Sequence, residues 1–214
     1  MSSLLVSRPK HDLPTEYLFH WCKPVIGMAI KRGMKVLDLK SGKASWKIFV
    51  SYLKSADPDL IFLNGHGSAH EIGGQNNEVL VSEKTDVKLL KGKIMYVRSC
   101  ESGAYLGKFL VKNGLKAFVG YADSFYFPTL IEYKSRPLLD PLTRVFLEPS
   151  NLVVTTLIKG HSVLEAHLRS QNSMIQNFKR MVLSSSSSRE RVFATYLWSN
   201  LQSQVVWGSK DARV

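Results

Sequence analysis

The sequence predicts an α/β fold: a mainly parallel sheet with helices on both faces. Short apolar runs recur through the first 121 residues, and segments with helical spacing of apolar side chains separate them. Gly, Pro or Asp marks most of the junctions. Such alternation implies βαβ units, whose crossovers make neighbouring strands parallel.

The first run, Leu4-Leu5-Val6, ends at Ser7-Arg8-Pro9 and reads as a buried strand. Residues 15–32 place Leu18, Trp21, Cys22, Val25 and Ala29 at helical spacing, with Pro24 expected to kink or divide the helix and Gly33 to stop it. Residues 35–39 form a second strand. A second helix over 44–55 presents Trp46, Phe49, Val50 and Leu53 on one face. Asp57-Pro58-Asp59 is a turn, and Leu60 to Leu63 a third strand. Residues 73–77 carry turn chemistry, with a small strand expected from Glu78 to Ser82. Lys93 to Val97 is a fourth core strand, 102–113 a helix, and Ala117 to Tyr121 a fifth strand.

Beyond Asp123 the periodicity weakens. Residues 124–137, with Phe125, Tyr126, Phe127 and Tyr133, read as a loop or insertion. It borders a strand end, so it serves substrate binding or gating, docks a partner, or simply packs in the core. Residues 138–147 and 161–182 read as helices, Ser184 to Ser188 as a flexible, proteolytically sensitive link, and 190–202 as a last amphipathic helix. One domain over residues 1–214 is expected.

Composition sets outer bounds. With 214 residues, 44% hydrophobic and 21% charged, the chain is neither collagen-like nor disordered. Two cysteines, Cys22 and Cys100, preclude a disulfide framework or a four-cysteine zinc site. There is no apolar run long enough to span a bilayer and no signal-peptide core, so a cytoplasmic protein without membrane contact is expected. The net charge of +12 is spread along the chain rather than gathered in a basic arm. It fits a solvated basic surface or an acidic partner, nucleic acid included, without a motif for either.

Two strand ends carry chemistry. The third strand runs into Asn64-Gly65-His66-Gly67-Ser68, and the fourth into Arg98-Ser99-Cys100-Glu101-Ser102-Gly103. Side chains just past the carboxyl ends of parallel strands line the usual ligand crevice. If the strands are neighbours, His66 and Cys100 leave the same sheet edge. A thiol attacks as its thiolate, favoured beside an imidazole or at a helix N-terminus, and Cys100 is expected to have both. The Gly67 and Cys100 amides would face a developing oxyanion. Spacing alone leaves catalytic pairing and coincidence both open. Cys22, on a helix face, reads as a buried hydrophobe. A zinc set of His66, His70 and Cys100 would need Glu71 to complete an irregular site and is disfavoured.

At these residues the sequence resembles the caspase-like cysteine peptidases, which include caspases, metacaspases, legumain, separase, gingipain, clostripain and the CHAT group. The resemblance lies in Leu60 to Gly67, an apolar strand ending in His-Gly, and Ile94 to Gly103, an apolar strand ending in a small residue and Cys. The 34 residues from His66 to Cys100 are fewer than the roughly 50 of caspases. Gly114 to Gly120, Leu157 to Ser162 with Glu165-Ala166, and Val206-Trp207-Gly208 are similar to CHAT proteins in particular.

The resemblance implies a caspase-like three-layer sandwich and thiol hydrolysis of peptide bonds without a cofactor or metal. It makes Cys100 the nucleophile, His66 the proton donor to the leaving amine, and the Gly67 and Cys100 amides the oxyanion donors. It requires no third catalytic residue. It also places Arg98, Arg8 and Asp123 in the pocket for the residue preceding the cut, P1. Two arginines there would favour an acidic P1 by bidentate pairing. The alternatives are a neutral pocket, if Asp123 neutralises one of them, and a structural salt bridge for Arg98. A protein substrate and a regulatory protein partner are expected. A noncatalytic module of the same fold and an unrelated α/β hydrolase or nucleotide-binding protein are the other readings. The last is weakened by the lack of G-x-S-x-G and of a phosphate-binding glycine loop.

Overall fold

Five apolar runs become the parallel strands β1 (Ser3–Arg8), β2 (Lys35–Lys40), β3 (Leu60–Asn64), β6 (Ile94–Arg98) and β7 (Ala117–Tyr121). The computed structural model of the protein describes residues 2–183 and 185–214. A short antiparallel pair, β4 (Glu71–Gly73) and β5 (Val79–Ser82), stands apart. The main sheet runs β2-β1-β3-β6-β7-β8, with β8 (Gln204–Gly208) antiparallel to β7. β8 was expected to be no more than a short terminal motif.

Alternation along the strands builds two cores. Leu4, Val6, Phe62, Tyr96 and Val119 point to one face, where α1 (Leu13–Trp21), α2 (Lys23–Lys31), α5 (Pro141–Ile158) and α6 (Val163–Met181) cover them. Leu5, Ile61, Leu63, Met95, Val97 and Phe118 point to the other, under α3 (Trp46–Ala56) and α4 (Leu106–Lys112). The result is the three-layer arrangement expected of an α/β sheet buried on both faces.

Several boundaries differ from the sequence reading. Pro24 divides the first helical segment at Cys22, as its ring requires. The helix after β6 starts only at Leu106, leaving 99–105 as a succession of turns. The largest difference is α5, which continues to Ile158 through Pro149 rather than ending at 147. Proline cannot donate to the carbonyl four residues earlier, that of Val145. Asn177 of α6 supplies the missing donor, its Nδ2 lying 2.8 Å from the Val145 oxygen. Ser184, the first residue of the expected serine link, lies outside the described residues. Ser187 is the N-cap of α7 (Ser188–Ser203), in a capping box with Glu190. Among the described residues no helix is long and apolar enough to cross a membrane.

Replacing Asn177 by Ala leaves the Val145 carbonyl without its side-chain donor opposite Pro149. A loss of about 1 kcal/mol in denaturant unfolding is expected, with little change at Asn172, an exposed residue of the same helix.

Candidate active site

β3 and β6 are adjacent and parallel, with Asn64 paired to Arg98. His66 and Cys100 each follow that pair by two residues, so both leave the same sheet edge. They line one cavity of about 230 Å³. The loop after β3 approaches the end of β6 closely because it is built on glycine. Gly65 has a φ of +144°, and a Cβ there would stand 2.7 Å from the Gly73 carbonyl oxygen. A Cβ on Gly67 would stand 2.7 Å from the Ser99 hydroxyl and 2.8 Å from the Glu71 carbonyl oxygen.

The Gly67 N–H and the Cys100 N–H donate to no protein acceptor among the described residues. Gly67 faces Ile72 in an isolated bridge whose two hydrogen bonds fall on the flanking residues, from Gly73 N to His66 O and from Ser68 N to Glu71 O. Both amides expected at an oxyanion therefore remain available. The Cys100 turn is held from behind. Glu101, at φ +56°, donates its N–H to the Asp123 carbonyl at 3.0 Å, and Gly103 donates to the Tyr121 carbonyl at 2.8 Å. The expected helix N-terminus at Cys100 is absent, since α4 begins six residues later.

Asp12 is the residue that sequence reading missed. It caps α1, accepting from Thr15 N at 2.9 Å and from the Thr15 hydroxyl at 2.6 Å. Its other oxygen lies 2.6 Å from His66 Nε2. Partial burial pushes the Asp12 carboxyl up, but the Thr15 bonds together with the His66 bond and charge outweigh it and hold it at about 2. The ionised carboxylate thus fixes one ring nitrogen of His66 and leaves Nδ1 for chemistry. The signal available in the sequence was Asp-Leu-Pro-Thr, an N-cap followed by proline in the first turn.

The three residues expected in the P1 pocket are not brought together there. Arg98 is fully buried beneath the site. Its guanidinium donates to Asn64 Oδ1 (2.6 Å), Ser150 Oγ (3.1 Å), Asn151 Oδ1 (2.9 Å) and Cys22 Sγ (3.3 Å), and it lies over the Phe62 ring. It is neither a substrate-facing arginine nor half of a salt bridge, because all its acceptors are neutral. Burial pushes the Cys22 thiol up, and Arg98 opposes that shift. Arg8 is bound to Asp38 through Nε at 2.7 Å and a terminal nitrogen at 2.5 Å, under the face of Phe19. Asp123 is exposed, and its carboxylate accepts from Ser124 N at 2.6 Å. None of the three lines the cavity.

The walls come instead from the start of α1 (Leu13, Thr15, Leu18) and from the segment after β7 (Phe125, Phe127, Thr129). That segment is clamped at both ends. Asn200 of α7 accepts from Tyr126 N at 2.9 Å and donates to Tyr126 O at 2.6 Å. The buried carboxylate of Asp140 accepts from Leu130 N at 2.7 Å, from Leu142 N and Thr143 N of α5, and from the Tyr17 hydroxyl at 3.2 Å. Burial first, and then Asp140, pushes Tyr17 up to about 12, so it remains a donor.

Among the described residues, His11, Asp12 and His66 hold donor atoms within 4.8 Å of one another, close enough for one cation. His70 takes no part in that group and pairs with Glu83.

No protein-family model and no curated protein sequence matches the chain. Solved structures do. The chain is similar over its whole length to the Arg-specific cysteine proteinase gingipain R, with a TM-score of 0.65 and 12% identity, covering 47% of that chain. It is likewise similar to a chain in a complex of Porphyromonas gingivalis RgpB pro- and mature domains, with a TM-score of 0.62 and 12% identity over 48% of that chain. The protein therefore has the caspase-like α/β fold found in these cysteine proteinases, and spans about half their length. That likeness does not single out the CHAT group within the fold.

Because Asp12 has two partners, its variants separate them. Asp12→Asn keeps a capping oxygen, whereas Asp12→Ala loses it and about 1 kcal/mol of stability at neutral pH. The depressed carboxyl stabilises the fold fully above the ordinary range near pH ~4, and this is lost as pH falls through about 2. Acid unfolding of Asp12→Asn is therefore expected to fall less steeply than wild type between those limits.

Proposed function

We propose that the protein is a cysteine peptidase hydrolysing peptide bonds with Cys100 as nucleophile and His66 as acid–base. The observation that carries this reading is the shared cavity. It joins Cys100 to an imidazole held from behind by an ionised carboxylate, beside two amides without protein acceptors. A coincidental Cys and His have no need of that surrounding.

In this reading the Cys100 thiolate attacks the scissile carbonyl carbon, and the Gly67 and Cys100 N–H groups take the oxyanion. His66 delivers a proton to the departing amine, leaving a thioester on Cys100. Water, deprotonated by His66, then attacks the thioester carbonyl, releasing the acid and restoring the Cys100 thiolate and the protonated imidazole. Asp12 keeps the ring oriented, as a positioning residue. The chain's own residues account for each proton.

A protein regulator fits the same reading. One neighbour in fold was captured as a complex of its pro- and mature domains, and a surface of net charge +12 suits an acidic partner. We place the protein in the cytoplasm on the same terms.

The test is labelling by a thiol-reactive peptide probe, read by intact mass and peptide mapping. A single adduct at Cys100 is expected, absent in Cys100→Ala and slowed about 100-fold in His66→Ala. Asp12→Asn should fall between. Reaction at Cys22, or equal rates in wild type and His66→Ala, would instead favour a noncatalytic module of this fold.

A further inference from the structure

From the same cavity we infer that P1 is a large uncharged apolar residue: leucine, methionine or phenylalanine. The inference rests on the peptidase reading and adds the substrate class. It departs from the acidic preference expected from Arg98 and Arg8, and equally from a preference for arginine.

Among the described residues, the lining of the cavity contains no Asp, Glu, Lys or Arg. An acidic P1 side chain would meet no guanidinium, because Arg98 is fully buried on neutral acceptors and Arg8 is occupied by Asp38. An arginine would meet no carboxylate. Asp12, the nearest acid to His66, already holds that ring and the Thr15 amide. A charge entering the cavity would shed water and find no carboxylate or guanidinium on its walls, and the one titratable base there, His66, is already engaged by Asp12. Leu13, Leu18, Phe125 and Phe127 give the cavity an apolar lining that rewards a hydrocarbon side chain.

Size and rigidity agree. About 230 Å³ is less than the roughly 300–1,000 Å³ of sites for whole small molecules, and suits one large side chain. The outer wall is preformed, since Asn200 and Asp140 fix the backbone of Tyr126 and Leu130 on either side of Phe127 and Thr129. The Thr143 hydroxyl adds a bond to the Pro128 carbonyl at 2.5 Å. A wall held at three backbone points does not need the substrate to build it.

Two measurements separate this inference from the reading it rests on. The first is hydrolysis of a fluorogenic tetrapeptide set varied only at P1, with kcat/KM for Leu, Met or Phe expected to exceed that for Arg, Lys, Asp or Glu by about 100-fold. The second needs no chemistry: binding of N-acetylated peptides ending in Leu, Phe, Arg or Asp to Cys100→Ala, followed by amide chemical shifts at Phe125, Phe127 and Thr129. The apolar peptides are expected to move those resonances at concentrations that leave them unmoved by the charged ones. Apolar binding without turnover in wild type sinks the peptidase reading and keeps the apolar cavity. Charged peptides that bind or react as well as apolar ones, or no shift with any peptide, overturn the inference. Thr129→Glu should bring in arginine at P1, and Leu13→Glu, at a position 37% exposed in the first turn of α1, provides the same charge if Thr129→Glu does not fold.

Discussion

Arg98 is a buried cation without a carboxylate, and the architecture around the cavity follows from how its charge is met. Placing a guanidinium in the interior is tolerated only when its donors are satisfied and its field is answered by dipoles. Here the acceptors come from three separate elements: Asn64 at the end of β3, Ser150 and Asn151 in α5, and Cys22 at the break between α1 and α2. The Phe62 ring covers one face. Moving any of these elements leaves part of a buried charge unanswered. Arg98 stands two residues before Cys100, so the strand that delivers the thiol is tied through it to β3, to α5 and to the break between α1 and α2.

Pro149 inside α5 belongs to the same arrangement. A proline inside a helix frees a carbonyl and opens the turn, and Asn177 restores the lost bond from outside. The two residues that follow, Ser150 and Asn151, supply oxygens to Arg98, and Asn151 also donates to the Trp21 carbonyl at 2.9 Å. Asp12 shows a comparable economy at the other end of α1. One carboxylate closes the helix and orients His66, so correct folding of the helix and correct aim of the imidazole are a single event.

The sheet was legible because each parallel strand is a short apolar run bounded by turn residues, buried on both faces. The meeting of His66 and Cys100 at one sheet edge was legible too, because strand ends are where such folds place polar side chains. α5 was not legible. Pro149 and the β-branched run Val153-Val154-Thr155-Thr156 argue locally against a helix, and only packing on α6 and the partner bond from Asn177 overrule them. Asp12 and His66 lie 54 residues apart, so no local pattern joins them. Arg98 and Arg8 were visible as arginines at strand ends, but their partners Asn151 and Asp38 lie on other elements. Direction, toward the interior or toward the crevice, is not encoded by position along a strand end alone.

β8 bears on when the turn carrying Cys100 reaches its final form. The Trp207 indole N–H donates to the Gly103 carbonyl at 2.7 Å, across 104 residues of sequence, and β8 closes the free edge of β7 whose Tyr121 carbonyl holds Gly103 N. A ribosome adding ~5–20 residues each second leaves roughly 5–20 s between the two ends of that contact. Throughout that interval the turn bearing Cys100 has no indole to fasten it. The nascent chain thus carries its thiol in an unfinished setting for that whole interval, and a strand made much later is what completes it.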